Sequence, residues 1–300
     1  MAGLVTPADD YTLAFRLAEP AESESVEAAV REEARRPFDL AAEHLLRAAV
    51  FPAKGGGEAT LVINIHHAVG DAWSSMVVLE ELAALYSAGV EGRALATALP
   101  PLPVQYADFV LWQQRQLGGD GGEALREHWR AALRGVPGML QLPADRPRPA
   151  APTFEAGTVH AELGLDLMQR LGALASGLDI NLQAVLLAGL QVVLSRYSGQ
   201  EDVAVGVPTA GRDLPEVQPL IGYFINTVAV RGQPTKELPF ASMAEQASVA
   251  MLEAQAHAHL PFADVVKACG VKRVPGVNPI FQARRSRWLS VAACGGLLPI

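Results

Sequence analysis

Segments patterned as strands and segments patterned as helices follow one another along the whole chain, and this interleaving constrains the fold more than any other feature. Residues 45–51 and 59–65 read as the two strands of a hairpin. Leu61, Ile63 and Ile65 alternate with Val62 and Asn64, and Lys54, Gly55, Gly56 and Gly57 supply the turn. Upstream, Val26, Ala29, Val30 and Ala34 recur at helical spacing over residues 26–36 and stop before Pro37. Downstream, residues 76–86 predict a helix with Ser74 at its N-cap and an end at Gly89. Residues 106–117 and 123–133 read as two surface helices separated by glycines. A strand over 157–163, helices over 166–176 and 181–197, strands over 202–207 and 224–231, and a helix over 242–256 complete the pattern. This order predicts an α/β protein built in layers.

Prolines 137, 143, 147, 149 and 152 mark the best linker, and a boundary near Asp145 divides the chain into an N-terminal lobe, 1–145, and a C-terminal lobe, 146–282. After Gln282 the periodicity stops, so 283–300 reads as an unrelated, disordered tail. With half the residues hydrophobic and 19% charged, the rest is not intrinsically disordered. A net charge of -8 repels nucleic-acid phosphates. Cys269 and Cys294 are too few for a disulfide framework or a four-thiolate zinc site. Neither a secretory signal nor an apolar run of about 18 residues is present. The expectation is a cytoplasmic protein with no nucleic-acid or membrane partner.

His66, His67 and Asp71 cluster where a predicted strand ends, a position at which function concentrates on a rigid scaffold. Adjacent side chains on an extended chain face opposite ways, so the two imidazoles are expected to have different jobs. Asp71 is close enough for the chain to turn and bring its carboxylate back beneath the loop. Adjacent histidines do not easily converge on one ion, and no H-E-x-x-H, G-x-S-x-G, P-loop or dinucleotide fingerprint occurs. The remaining histidines, 44, 128, 160, 257 and 259, lack an acid at comparable spacing and read as ordinary surface or core residues.

HHAVGDAWS, residues 66–74, resembles the H-H-x-x-x-D-G-W-S motif of the condensation domains of nonribosomal peptide synthetases. The segments LPVQYADFVLWQ, LPADRPRP, RYSGQEDVAVGVPTAGR, IGYFINTVAVR, HAHLPF and NPIFQ are similar to family segments in the family's order, covering about residues 35–282. The resemblance implies two chloramphenicol-acetyltransferase-like lobes around a tunnel, each a mixed sheet with packed helices. It also implies amide formation between aminoacyl or peptidyl thioesters carried on the phosphopantetheine of donor and acceptor peptidyl carrier proteins. Adenylation domains of the same pathway would be further partners, and neither a metal nor a directly bound cofactor is implied. By the same resemblance His67 is catalytic, His66, Asp71 and Trp73 are structural at the site, and Gly222, Phe224, Asn226 and Arg231 line the tunnel from the second lobe. An α-amine titrates at about 7.7–8.0, so it needs little help to be neutral, and His67 can act as a base or as a positioning group.

The sequence departs from the family pattern at three points. Ala72 replaces the motif glycine, at a cost of about 1 kcal/mol if that position needs a positive φ. The R-H-x-x-L-R motif, whose arginine would pair with the motif aspartate, has no counterpart, so Asp71 is expected to lack its partner. Both lobes are expected to be incomplete. The alternative reading is an inactive truncated fragment that at most binds a carrier protein.

Overall fold

The computed structural model describes residues 11–18, 25–52, 58–146, 149, 156–274 and 276–285. The chain packs as two compact units, Met1–Phe109 with Arg212–Phe224, and Val110–Gly211 with Ile225–Ile300.

In the first unit, β1 (Ala14–Leu17) runs parallel to β2 (Leu46–Pro52), and β2 is antiparallel to β3 (Ala59–Ile65). The hairpin is the predicted one, in register from Leu46 opposite Ile65 to Pro52 opposite Ala59, and its turn, 53–57, lies outside the described residues. Arg47, Ala49 and Phe51 alternate inward along β2 and are buried. Helix α1 (Val26–Arg35) adds Ala29 to that small core, beginning where the Ser25 hydroxyl accepts the Ala28 N–H and ending just before Pro37. The guanidinium of Arg47 closes the join, donating to the carbonyls of Arg36 (2.6 Å) and Pro37 (3.2 Å) while lying 3.8 Å from the Phe38 ring centre. Helix α2 (Ala72–Val90) follows the hairpin.

In the second unit, β4 (Val203–Thr209) sits between antiparallel β5 (Asn226–Gly232) and parallel β6 (Ala283–Arg284). Val203, Val205, Val228 and Val230 of the central pair are at most 2% exposed. Trp129 from α4 (Asp120–Ala132), Leu187 from α6 (Leu182–Ser198), Met251 from α7 (Phe240–Ala256) and Val265 from α8 (Phe262–Ala268) pack in the same core. Helix α5 (Leu165–Gly177) completes the set, and α3 (Tyr106–Gly118) has its residues to Phe109 in the first unit and the rest in the second. The ends of α6 follow from its sequence: the Asn181 side chain accepts the Ala184 N–H at 2.8 Å, and Gly199 takes the left-handed conformation, φ 70°, that stops the helix.

Several expectations need correction. The packing does not divide the chain near Asp145, because α4 and its C-cap residue commit Trp129 and Leu133 to the core of the second unit; that helix is therefore no surface helix. Residues 157–163 form no strand; all are exposed, Val159 to 94%, and among the described residues they have no pairing neighbour. The start of the expected tail belongs to the fold. Ala283 and Arg284 pair with Val205 and Gly206, and the Arg285 N–H donates to the Gly206 carbonyl at 2.8 Å. A β-carbon on Gly206 would collide with the Phe281 ring, so glycine is what lets this segment close on β4. The rest of the expected tail, 286–300, lies outside the described residues. Among the described residues no single helix is long and apolar enough to cross a membrane.

Candidate active site

The histidine loop joins β3 to α2 within the first unit. The His66 N–H donates to the Leu45 carbonyl at 2.9 Å, extending the hairpin by one bond, and the Val69 N–H closes a turn on the His66 carbonyl at 3.0 Å. The two imidazoles have different partners. Nδ1 of His66 accepts the Ala68 N–H at 3.1 Å, so the ring hydrogen of neutral His66 sits on Nε2, and the ring meets Phe38 edge to face. Nδ1 of His67 lies 2.8 Å from the Gly70 carbonyl oxygen, which can only accept. Neutral His67 therefore carries its hydrogen on Nδ1 and leaves the Nε2 lone pair for another molecule. Gly70 is buried against Ile65, whose Cγ2 would lie 2.9 Å from any added β-carbon, so a glycine here lets the carbonyl reach His67.

Asp71, not Ser74, caps α2. Its backbone is extended (φ -121°, ψ -178°) and its Oδ1 accepts the Ser74 N–H at 2.8 Å. Ala72 is accordingly the first residue of the helix, and its φ is not positive, so replacing the motif glycine adds no strain. Ser74 is fully buried and its single hydroxyl proton is shared between Asp71 Oδ1 (2.8 Å) and the Gly222 carbonyl (2.7 Å). Its oxygen accepts from the Gly222 N–H (3.0 Å) and from Arg212 Nη2 (2.9 Å). A β-carbon on Gly222 would run into the Tyr106 ring.

The expectation that Asp71 lacks a cationic partner is overturned. Arg212, 141 positions away, places Nη2 3.2 Å from Asp71 Oδ1, and both side chains are almost wholly buried. Arg212 Nη1 donates to the carbonyls of Val217 (2.7 Å) and Leu220 (2.7 Å), and its guanidinium lies 4.0 Å from the Phe224 ring centre. Asp71 Oδ2 accepts the Phe224 N–H at 3.1 Å. Burial opposes ionisation of Asp71, yet the Ser74 N–H and hydroxyl, the Phe224 N–H and the Arg212 charge together hold its carboxyl below the usual carboxylate range. Burial pulls Arg212 down in turn, and the Asp71 charge partly restores it.

Of the predicted site residues, His66, His67, Asp71, Trp73, Gly222 and Phe224 belong to the first unit. Trp73 donates its indole N–H to the Gln218 carbonyl at 3.0 Å. Gly222 and Phe224 precede the expected strand, which begins at Asn226, and meet the cap of α2. Asn226 and Arg231 belong to the second unit. The Asn226 amide donates to the carbonyls of Ala258 (2.7 Å) and Leu260 (2.8 Å), and its oxygen accepts the Phe262 N–H, pinning the HAHLPF loop. Arg231 grips Asp202 through two bonds of 2.9 and 2.6 Å and also donates to the Ala132 and Arg134 carbonyls. Sequence reasoning missed Arg212, Tyr106 and Tyr223, although all three fall inside the motif segments quoted above.

The family model described as a condensation domain matches residues 5–286. The chain belongs to the condensation-domain family. Tyrocidine synthase 2 of Brevibacillus parabrevis is 35% identical over 248 residues, 82% of this chain and 7% of that protein. Phosphinothricin tripeptide synthetase PhsB of Streptomyces viridochromogenes is 38% identical over 250 residues, 83% of this chain and 21% of that protein. Among solved structures, the X-domain from teicoplanin biosynthesis superposes with a TM-score of 0.82 at 26% identity, covering 92% of this chain and 61% of that one. This condensation domain thus spans a small part of its curated relatives' length. Its α/β fold, with a mixed sheet in each unit, is the chloramphenicol-acetyltransferase-like one the motifs imply.

Proposed function

We propose that this condensation domain forms an amide bond between two carrier-bound acyl groups, with His67 as the residue that meets the acceptor amine. The supporting observation is the locked Nδ1–H of His67, which leaves Nε2 as an acceptor on an exposed loop residue. In the reaction the amine nitrogen attacks the donor thioester carbonyl. The C–N bond forms, the C–S bond breaks, the thiolate leaves and the amine surrenders one proton. Nε2 can accept an amine N–H bond as the tetrahedral centre forms, orienting the nucleophile and receiving that proton. The acyl groups would arrive on the phosphopantetheine of donor and acceptor peptidyl carrier proteins, charged by adenylation domains in the cytoplasm, for assembly of an antibiotic-type peptide. The match over residues 5–286 does not favour the inactive-fragment reading.

The test is condensation by the protein within its own synthetase, with carrier proteins loaded with aminoacyl-phosphopantetheine. His67→Ala should abolish product while carrier binding and melting temperature stay close to wild type, and equal product yield would sink the reading. His66→Ala should act on stability, since its ring serves the Ala68 N–H within the loop.

A further inference from the structure

Among the described residues, the His67 ring is held by one hydrogen bond, from Nδ1 to the Gly70 carbonyl, and by one aromatic neighbour, Tyr223. One hydrogen bond on an exposed side chain leaves χ1 and χ2 room to carry the ring away from the Gly70 carbonyl. The Tyr223 ring removes that freedom, with its centroid 5.5 Å from that of His67 and the planes inclined at 67°, an edge-to-face contact. Tyr223 is itself held at three backbone points. The Gly222 N–H before it donates to Ser74 Oγ, the Phe224 N–H after it donates to Asp71 Oδ2, and its own carbonyl accepts the Tyr106 hydroxyl at 2.8 Å. Both flanking anchors lie at the N-terminus of α2, directly after the histidine loop, so the buried cap sets where the Tyr223 ring stands. The side chain is nevertheless 45% exposed, which leaves it beside His67 and not in the core.

We propose that Tyr223 is a positioning residue for His67: its ring fixes the plane of the imidazole and thereby the direction in which Nε2 meets the amine. The proposal rests on the reading of His67 given above. It also gives the Asp71, Ser74 and Arg212 network a second task, because the network holds the Tyr223 backbone as well as capping the helix. The ring and not the hydroxyl carries the effect, so Tyr223→Phe retains it and Tyr223→Leu loses it.

Ring nitrogen NMR on the full chain, at a pH where the imidazoles are neutral, provides the test. In the wild type, His67 should show a hydrogen on Nδ1 and dipolar contacts to the Tyr223 ring protons. Tyr223→Phe should keep the hydrogen on Nδ1, and Tyr223→Leu should shift the balance toward Nε2–H. In condensation with loaded carriers, Tyr223→Leu should lower kcat by roughly ten- to a hundredfold with little change in KM, and Tyr223→Phe should restore most of it. An unchanged tautomer and kcat in Tyr223→Leu would overturn the proposal, as would the lack of ring contacts in the wild type, a measurement that needs no variant to fold. Full turnover by His67→Ala would instead defeat the functional reading while leaving the NMR result standing.

Discussion

Two aspartate–arginine pairs, one in each unit, use the same chemistry in opposite settings. Asp202, just before β4, and Arg231 of β5 meet through a two-bond fork, each with about a quarter of its side chain exposed. Asp71 and Arg212 meet through one longer contact of 3.2 Å, with side chains 3% and 1% exposed. The buried pair has the poorer ion-pair geometry, but most of its other bonds are to buried groups: the Ser74 N–H and hydroxyl, the Val217 and Leu220 carbonyls and the Phe224 N–H. The difference teaches that exposure and not bond length decides what each pair is worth. A partly exposed fork gains little over water, whereas a buried pair that loses one member leaves a charge with no solvent to turn to.

The largest effect should come from breaking the buried pair. Arg212→Ala is expected to cost about 3–5 kcal/mol, read as a shifted denaturant midpoint, because it strands the Asp71 carboxylate and the carbonyls that the guanidinium served. A loss below that of Asp202→Ala would invert the comparison. Gly222→Ala leaves both charges in place but drives a methyl group into the Tyr106 ring, and should cost about 1–3 kcal/mol by overpacking.

Acid sharpens the contrast. The Asp71 carboxyl is held below its unfolded pKa of about 3.9, so its contribution is complete above that value and is lost as pH falls through the lower folded one. The stability difference between wild type and Asp71→Asn should therefore shrink as the pH of urea titrations is lowered through about 4 and below. A difference independent of pH would show that the ionised form is not what the network holds. The smallest effect is expected for Asp202→Ala, about 1 kcal/mol, with a clear salt dependence in the wild type that the Asp71 pair lacks.

Much of each unit was legible in advance where neighbouring residues decide the structure. The β2–β3 hairpin follows from period-two alternation, α1 from its apolar spacing and Pro37, and α6 from its apolar run between Asn181 and Gly199. Local reading failed where two caps competed. Ser74 looks like an N-cap, but it is spent on Asp71, Gly222 and Arg212, and Asp71 starts the helix three residues earlier. It failed again at 157–163, where an apolar alternation has no strand beside it among the described residues, and at Ala283–Arg284, where a strand of two residues forms on the edge that β4 offers.

What the sequence by itself determined is the family and the histidine loop at a strand end, because motif identity and the alternation that marks the strand are properties of adjacent residues. Only the tertiary structure decided that Arg212 neutralises Asp71, that Gly222 and Phe224 serve the cap of α2, and that Tyr223 stands against His67. Those partners lie far apart along the chain. No local spacing encodes the contacts, and they form because a buried carboxylate and the backbone N–H groups around it must find partners wherever the fold brings them.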